Sequence, residues 1–451
     1  TASPTATSYY RAVVTSGVCA PVISNVVTIT VETPSAVAGT ASSDQTICIG
    51  SSANITLAGN TGTIQWQEST DNITFSDMPG ETASTLTASP IVTSYYQASV
   101  TVGVCPSVIS NVVTITVDPA SVAGLASSDQ TICLGSSANI TLAGNTGNIQ
   151  WQESTDNITF TNIIGETAAT LTISPSSTSY YRAEVTNGVC VPVNSNSVTI
   201  TVDPTSVAGA ASSDQTICVG GSANITLAGN TGTIQWQDSP DNITFTDIAG
   251  ETTSTLTTSP AATSYYRAVV TSGVCAPVIS NVVTITVDPP SVAGTASSDQ
   301  TICVGSSANI TLAGNTGTIQ WQDSPDNITF TDIVGETAST LTTSPAATSF
   351  YRAVVTSGVC VPVISDVVTV TVDPTSVAGT ASGDQTICVG SSANITLAGN
   401  TGTIQWQDSP DNITFTDIAG ETASTLTASP TATSYYRAVV TSGVCAPVIS
   451  N

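Results

Sequence analysis

Apolar residues between positions 204 and 288 fall in short alternating runs, with no helical stripes. SANITLAG alternates so that Ile225 and Leu227 share one face, and TIQWQDS does the same with Ile234 and Trp236. The segment GNTG, Gly229 to Gly232, reads as a tight turn between them. Before them SVAGAASSDQTIC is extended and stops at Gly220-Gly221; after them come DNITFTDI, TSTLTTSP, SYYRAVVTSG and PVISNVVTITVD. No stretch joins a helical period to helical caps, and Val, Ile and Thr dominate, which favours strands. About seven short strands punctuated by turns roughly every 8–12 residues predict a β-sandwich.

The pattern repeats. Trp66, Trp151, Trp236, Trp321 and Trp406 follow a constant step of 85, as do Cys48, Cys133, Cys218, Cys303 and Cys388. Cys105, Cys190, Cys275, Cys360 and Cys445 do the same, while Cys19 precedes Cys105 by 86. The extra residue lies in the first junction, around Glu32-Thr33-Pro34. The units are 34–118, 119–203, 204–288, 289–373 and 374–451, the last without its final strand; residues 1–33 are the C-terminal part of an earlier unit. Residues 1–25 and 427–451 are identical, so we expect further copies of the repeat on both sides. The tail 1–33 is too short to bury a core alone.

Within a unit the details are immunoglobulin-like. A Trp on the third strand is expected in the core, and the Tyr that opens the sixth strand stands where a tyrosine corner would be. The expected core comprises Trp66, Trp151, Trp236, Trp321 and Trp406 with Tyr96, Tyr181, Tyr266, Tyr351 and Tyr436. In the unit 204–288, Ile225, Leu227, Ile234 and Phe245 join it. The usual inter-sheet disulfide is missing: Ala228 or Gly229 and Ala268 stand in its places, and the cysteines have moved to turns. The fold class is therefore all-β: tandem Ig-like sandwiches with an 85-residue repeat, expected to run as an extended rod. The succession ASSDQTICxGSSANITL, IQWQxSxDNITFTDI and SYYRAVVTSGVCxPVISNVVTITV resembles the Ig-like repeats of giant surface proteins of gliding Bacteroidetes, including gliding-motility adhesins secreted by the type 9 system. That resemblance implies an extracellular, cell-surface filament or adhesin.

Two cysteines per unit at fixed phase, with no His and no CxxC, read as disulfides in an oxidising compartment and not as a zinc site. Two pairings are open. Within repeats the bonds are Cys48–Cys105, Cys133–Cys190, Cys218–Cys275, Cys303–Cys360 and Cys388–Cys445. In an Ig-like sandwich, however, the first–second and sixth–seventh turns lie at opposite ends, too far apart for a disulfide. The turn of one unit would instead face the turn of the next. That favours Cys48–Cys190, Cys133–Cys275, Cys218–Cys360 and Cys303–Cys445, with Cys19, Cys105 and Cys388 pairing beyond these residues.

Charge narrows the function further. There are 31 acidic residues against five Arg, for a net charge of −26. Basic patches for nucleic acid or anionic lipid are lacking, and no apolar run approaches a membrane span. With no His or Lys to serve as acid or base, no enzyme is expected. Arg11, Arg182, Arg267, Arg352 and Arg437 recur at one position, which holds Gln97 in the unit 34–118. An outer-face contact to a neighbouring Gln or acid is the plainer role for it.

Asp238, Asp241, Asp247 and Glu251 are candidate calcium ligands, and Asp203 and Asp214 flank a junction; without a dense DxDxDG loop, solvated turn acids are the plainer reading. No other metal or cofactor is expected. Asn224 and Asn242 head N-x-T sequons, whose use depends on the cell. Tyr265, expected to point outward, could stack on a sugar, although single exposed aromatics are common. The function expected is a structural shaft or stalk spacing a distal adhesive tip from the cell, for gliding or attachment. Its alternative is a multivalent module with a weak glycan or surface site in each repeat.

Overall fold

The structure is a computed structural model that describes residues 1–33 and 35–451; Pro34, in the longer first junction and at the expected start of the first full unit, lies outside the described residues. The described residues are strands and turns without a helix. They form two compact bodies, one of residues 1–205 with 272–276 and one of 206–271 with 277–451.

The strands of 204–288 show how each repeat is built: β1 (Ala210–Ala211), β2 (Gln215–Cys218), β3 (Ala223–Ala228), β4 (Thr233–Ser239), β5 (Thr246–Asp247), β6 (Thr255–Thr258), β7 (Ser264–Thr271), β8 (Val278–Ile279) and β9 (Val283–Asp288). One sheet has the order β1–β3–β6; the other runs β2–β9–β7–β4–β5, with β8 also on β7. Every pairing is antiparallel except β2 with β9. The first expected strand is thus two, crossing from the small sheet to the large one at Ser212–Asp214, and the last is likewise divided. This is an Ig-like strand order, read directly from the pairings.

Alternation explains the core. On β3, Ala223, Ile225 and Leu227 are buried between exposed neighbours; on β4, Ile234 and Trp236 face them; on β7, Tyr266, Ala268 and Val270 do. Trp236 is fully buried, lies opposite Ala268, and donates its indole N–H to the Thr253 carbonyl at 2.8 Å. The small Ala side chain leaves room for the indole.

Several expectations need correction. Ala228 points outward, so the inward place next to the β3–β4 turn belongs to Leu227. Phe245 is only half-buried, because it sits on the outer face of the large sheet beneath Arg267. The Tyr266 hydroxyl meets the Thr258 side chain at 2.8 Å in place of the backbone contact of a tyrosine corner. Tyr351 meets Thr343 in the same way.

The first body contains two complete sandwiches, within 35–118 and 119–203. Residues 1–33 supply two two-stranded sheets, Ser8–Tyr10 with Val27–Ile29 and Val13–Val14 with Val22–Ile23, whose apolar side chains are exposed for want of a facing sheet. In the second body the unit 374–451 keeps a four-stranded large sheet. No counterpart of β9 is present there, so residues 385–388 form no strand and Tyr436 is half-buried. The other four core tyrosines, Tyr96, Tyr181, Tyr266 and Tyr351, are buried, as are all five tryptophans.

Candidate functional site

The most elaborate constellation is the junction between consecutive repeats. Asp288 ends β9, beside Cys218 at the end of β2, and its carbonyl accepts the Val219 N–H at 3.0 Å. Its carboxylate reaches the next repeat and accepts the Val359 N–H at 2.9 Å. Gly358 precedes that amide with φ +48°, and a Cβ there would collide with the Asp288 carboxylate. Glycine is thus demanded twice, by conformation and by approach. Cys360 closes the same turn, its N–H donating to the Ser357 carbonyl at 2.8 Å, and its sulfur is bonded to Cys218.

The linker that follows is short and held. The Ser357 N–H donates to the Ser291 hydroxyl at 2.9 Å, and Val292 exchanges two backbone hydrogen bonds with Thr316. Only Pro289 and Pro290 separate Asp288 from these anchors.

The same clasp recurs. Asp118 holds Val189, Asp203 holds Val274 and Asp373 holds Val444. In the longer first junction Glu32 performs the task, accepting the Val104 N–H at 3.1 Å. The disulfides are Cys48–Cys190, Cys133–Cys275, Cys218–Cys360 and Cys303–Cys445, each joining neighbouring repeats. The within-repeat pairs Cys48–Cys105, Cys133–Cys190, Cys218–Cys275, Cys303–Cys360 and Cys388–Cys445 are not formed. The register gives the reason: β2 ends level with the end of β9, whereas the turn after β7 precedes β9, at the opposite end of the sheet. Cys19, Cys105 and Cys388 are unpaired.

The recurring Arg lies on the outer face of the large sheet. Arg267 donates from Nε to the Gln237 side chain at 2.8 Å, Gln237 donates to Asp247 at 2.8 Å, and the guanidinium lies 3.9 Å from the centre of the Phe245 ring. Gln97 continues the same chain through Gln67 to Asp77 without a charge. Tyr265 shares this face and is half-buried.

The candidate calcium ligands do not converge. Asp241 caps its own turn, accepting the Ile243 and Thr244 N–H groups at 2.9 Å and the Ser239 hydroxyl at 2.8 Å. Asp247 serves Gln237, and Asp238 accepts the Thr246 hydroxyl at 3.1 Å. Glu251 contributes backbone hydrogen bonds to Trp236 and Ile248. Among the described residues no three acidic or sulfur side chains gather as a metal site. Asp214 accepts the Thr284 N–H at 2.8 Å, tying the start of β2 to β9.

The backbone N–H of Thr244, then that of Ile243, then the Ser239 hydroxyl hold the Asp241 carboxyl below its usual range. The equivalent Asp71 and Asp156 are lowered to about 2. Of the sequons, Asn224 lies in β3 and accepts the Thr257 hydroxyl at 2.7 Å, whereas Asn242 occupies the exposed turn at φ +59°.

Residues 1–33, 37–119, 122–204, 207–289, 292–374 and 377–451 each match the family described as Domain of unknown function (DUF8696). The chain belongs to this family. A comparison with curated protein sequences gives no match. Among solved structures, a three-domain I-band fragment of titin is 13% identical, covering 56% of this chain and 98% of that one, with a TM-score of 0.41. Sidekick-1 immunoglobulin domains 1–5 are 12% identical over 90% of this chain and 95% of theirs, with a TM-score of 0.29. Extracellular domains 3–5 of Drosophila OTK are 13% identical over 56% and 97%, with a TM-score of 0.25. These low scores add nothing to the Ig-like assignment, which rests on strand order. The DUF8696 repeats are thus tandem Ig-like domains, and their four disulfides belong to an oxidising setting.

Proposed function

We propose that the DUF8696 array is a non-enzymatic structural shaft or stalk of an extracellular surface filament or adhesin. In this reading it spaces a distal adhesive tip from the cell, in attachment or gliding. The observation that carries it is the junction: an acidic side chain hydrogen-bonded to the next repeat recurs at every step, with a disulfide beside it wherever both cysteines are present. Such investment in junctions suits a chain whose task is to hold its units in line. The resemblance to Bacteroidetes surface proteins supports the setting. Electron micrographs of the isolated chain test the reading: a shaft gives straight particles of uniform length, and freely jointed beads would overturn it.

A second reading, multivalent binding of glycans, draws on Tyr265, which is half-buried on the outer face as are its counterparts Tyr95, Tyr180 and Phe350. Repetition would convert weak sites into avidity. A glycan array probed with the chain separates the two, since saturable binding favours the module over the plain spacer.

A further inference from the structure

The four disulfides have a consequence for connectivity that does not depend on what the repeats bind. Each closes a ring, from Cys48 to Cys190, Cys133 to Cys275, Cys218 to Cys360 and Cys303 to Cys445. Each ring begins before the previous one ends: Cys133 precedes Cys190, Cys218 precedes Cys275 and Cys303 precedes Cys360. Every peptide bond from Cys48 to Cys445 therefore lies inside at least one ring.

We propose that the disulfides weave this backbone into two interleaved covalent routes, so that no single endoproteolytic cut between Cys48 and Cys445 parts the chain. One route crosses from Cys48 to Cys190, follows the backbone to Cys218 and crosses to Cys360. The other follows the backbone to Cys133, crosses to Cys275, follows the backbone to Cys303 and crosses to Cys445. At each junction one route passes as backbone and the other as a disulfide. Within-repeat pairing would give the opposite result: its rings would end on either side of each junction and leave the linker as the only covalent tie. The arrangement covers the exposed linkers such as Pro289-Pro290, whose cleavage would otherwise part neighbouring repeats. It also makes continuity redox-dependent, because a thiol reductant turns a silent nick into a break.

The test uses the full chain with a site-specific protease sequence inserted at one of two exposed places. One lies between Pro289 and Pro290, inside the Cys218–Cys360 ring alone. The other lies between Ala261 and Ala262, inside both the Cys133–Cys275 and Cys218–Cys360 rings. After cleavage, free thiols are alkylated and the products are denatured and separated by electrophoresis. Without reductant, both cut chains should run at full mass; with dithiothreitol, each should give two fragments. With Cys218→Ser and Cys360→Ser together, the Pro289/Pro290 cut should release two fragments without reductant, whereas the Ala261/Ala262 cut should still release none. Two fragments from the Pro289/Pro290 cut of the chain with its native cysteines, before any reductant, would overturn the proposal. That arm stands even where the double variant folds poorly.

Discussion

Asp288 and Val359 belong to consecutive repeats, and the carboxylate of the first accepts the backbone N–H of the second at 2.9 Å. Cys218 lies level with Asp288 across the β2–β9 pairing and is bonded to Cys360, the residue after Val359. One acid, one glycine and one disulfide thus meet at one point of the junction.

Asp288→Ala should weaken this clasp by about 1 kcal/mol, less than the ~1.5–3 kcal/mol of a hydrogen bond to a charged group because water screens this half-exposed site. Amide hydrogen exchange at Val359 should speed up accordingly, with the fold unchanged. Gly358→Ala should cost more, because it adds strain at positive φ to a collision with the carboxylate. If Val359 exchanges alike in Asp288→Ala and the parent chain, the hydrogen bond has no energetic weight.

Trp236→Ala should cost its repeat about 3–5 kcal/mol, the usual loss for a large aromatic removed from a core. In a denaturant titration a low-stability step for one repeat should separate from the rest. A single unshifted transition would mean that the indole is not the centre of the core.

The turn acids give a pH signature. Asp71 and Asp156 titrate at about 2 in the folded chain, below the ordinary carboxylate value, so they favour folding above about pH 4. That stabilisation is lost as pH falls through their folded value near 2. Loss of the chain's net negative charge acts in the opposite direction, so the informative quantity is a difference. Replacing Asp71, Asp156, Asp241, Asp326 and Asp411 with Ala should lower the melting temperature at pH 6, and the gap from the parent should close toward pH 2. A gap independent of pH would show that the capping is not carried by the carboxylate charge.

Pulled from residues 48 and 445, the oxidised chain should extend no further than about 30 nm even when every repeat unfolds. The shortest covalent route between these points crosses Cys48–Cys190, Cys218–Cys360 and Cys303–Cys445 and contains roughly 85 residues at ~3.5 Å each. After reduction the limit should rise to about 140 nm, the length of the intervening chain. A single-molecule force trace with the longer limit before reduction would exclude the ring pattern.

Much of this was legible in the amino-acid order. Alternation in SANITLAG and TIQWQDS set the strands and the inward places of Ile225, Leu227 and Trp236, because a strand's side-chain period is two and one face must be dry. The constant step between tryptophans set the repeat. Strand order in an Ig-like sandwich already favoured bonds between neighbouring repeats over bonds within one, since it separates the two turns.

Other features came only from tertiary structure. Phe245 alternates as a core residue would, yet it lies on the outer face beneath Arg267, and no local pattern reveals that partner. The candidate calcium acids are close in sequence but are each bound to different backbone or side-chain groups. The clasp of Asp288 on Val359 joins residues 71 apart, and neither residue has a local pattern that announces it. Sequence by itself determined which residues face inward and how often the unit recurs, because those follow from periodicity along one chain. Tertiary structure decided which acid meets which amide and which cysteine meets which cysteine, because those contacts depend on where the turns of successive repeats come to lie.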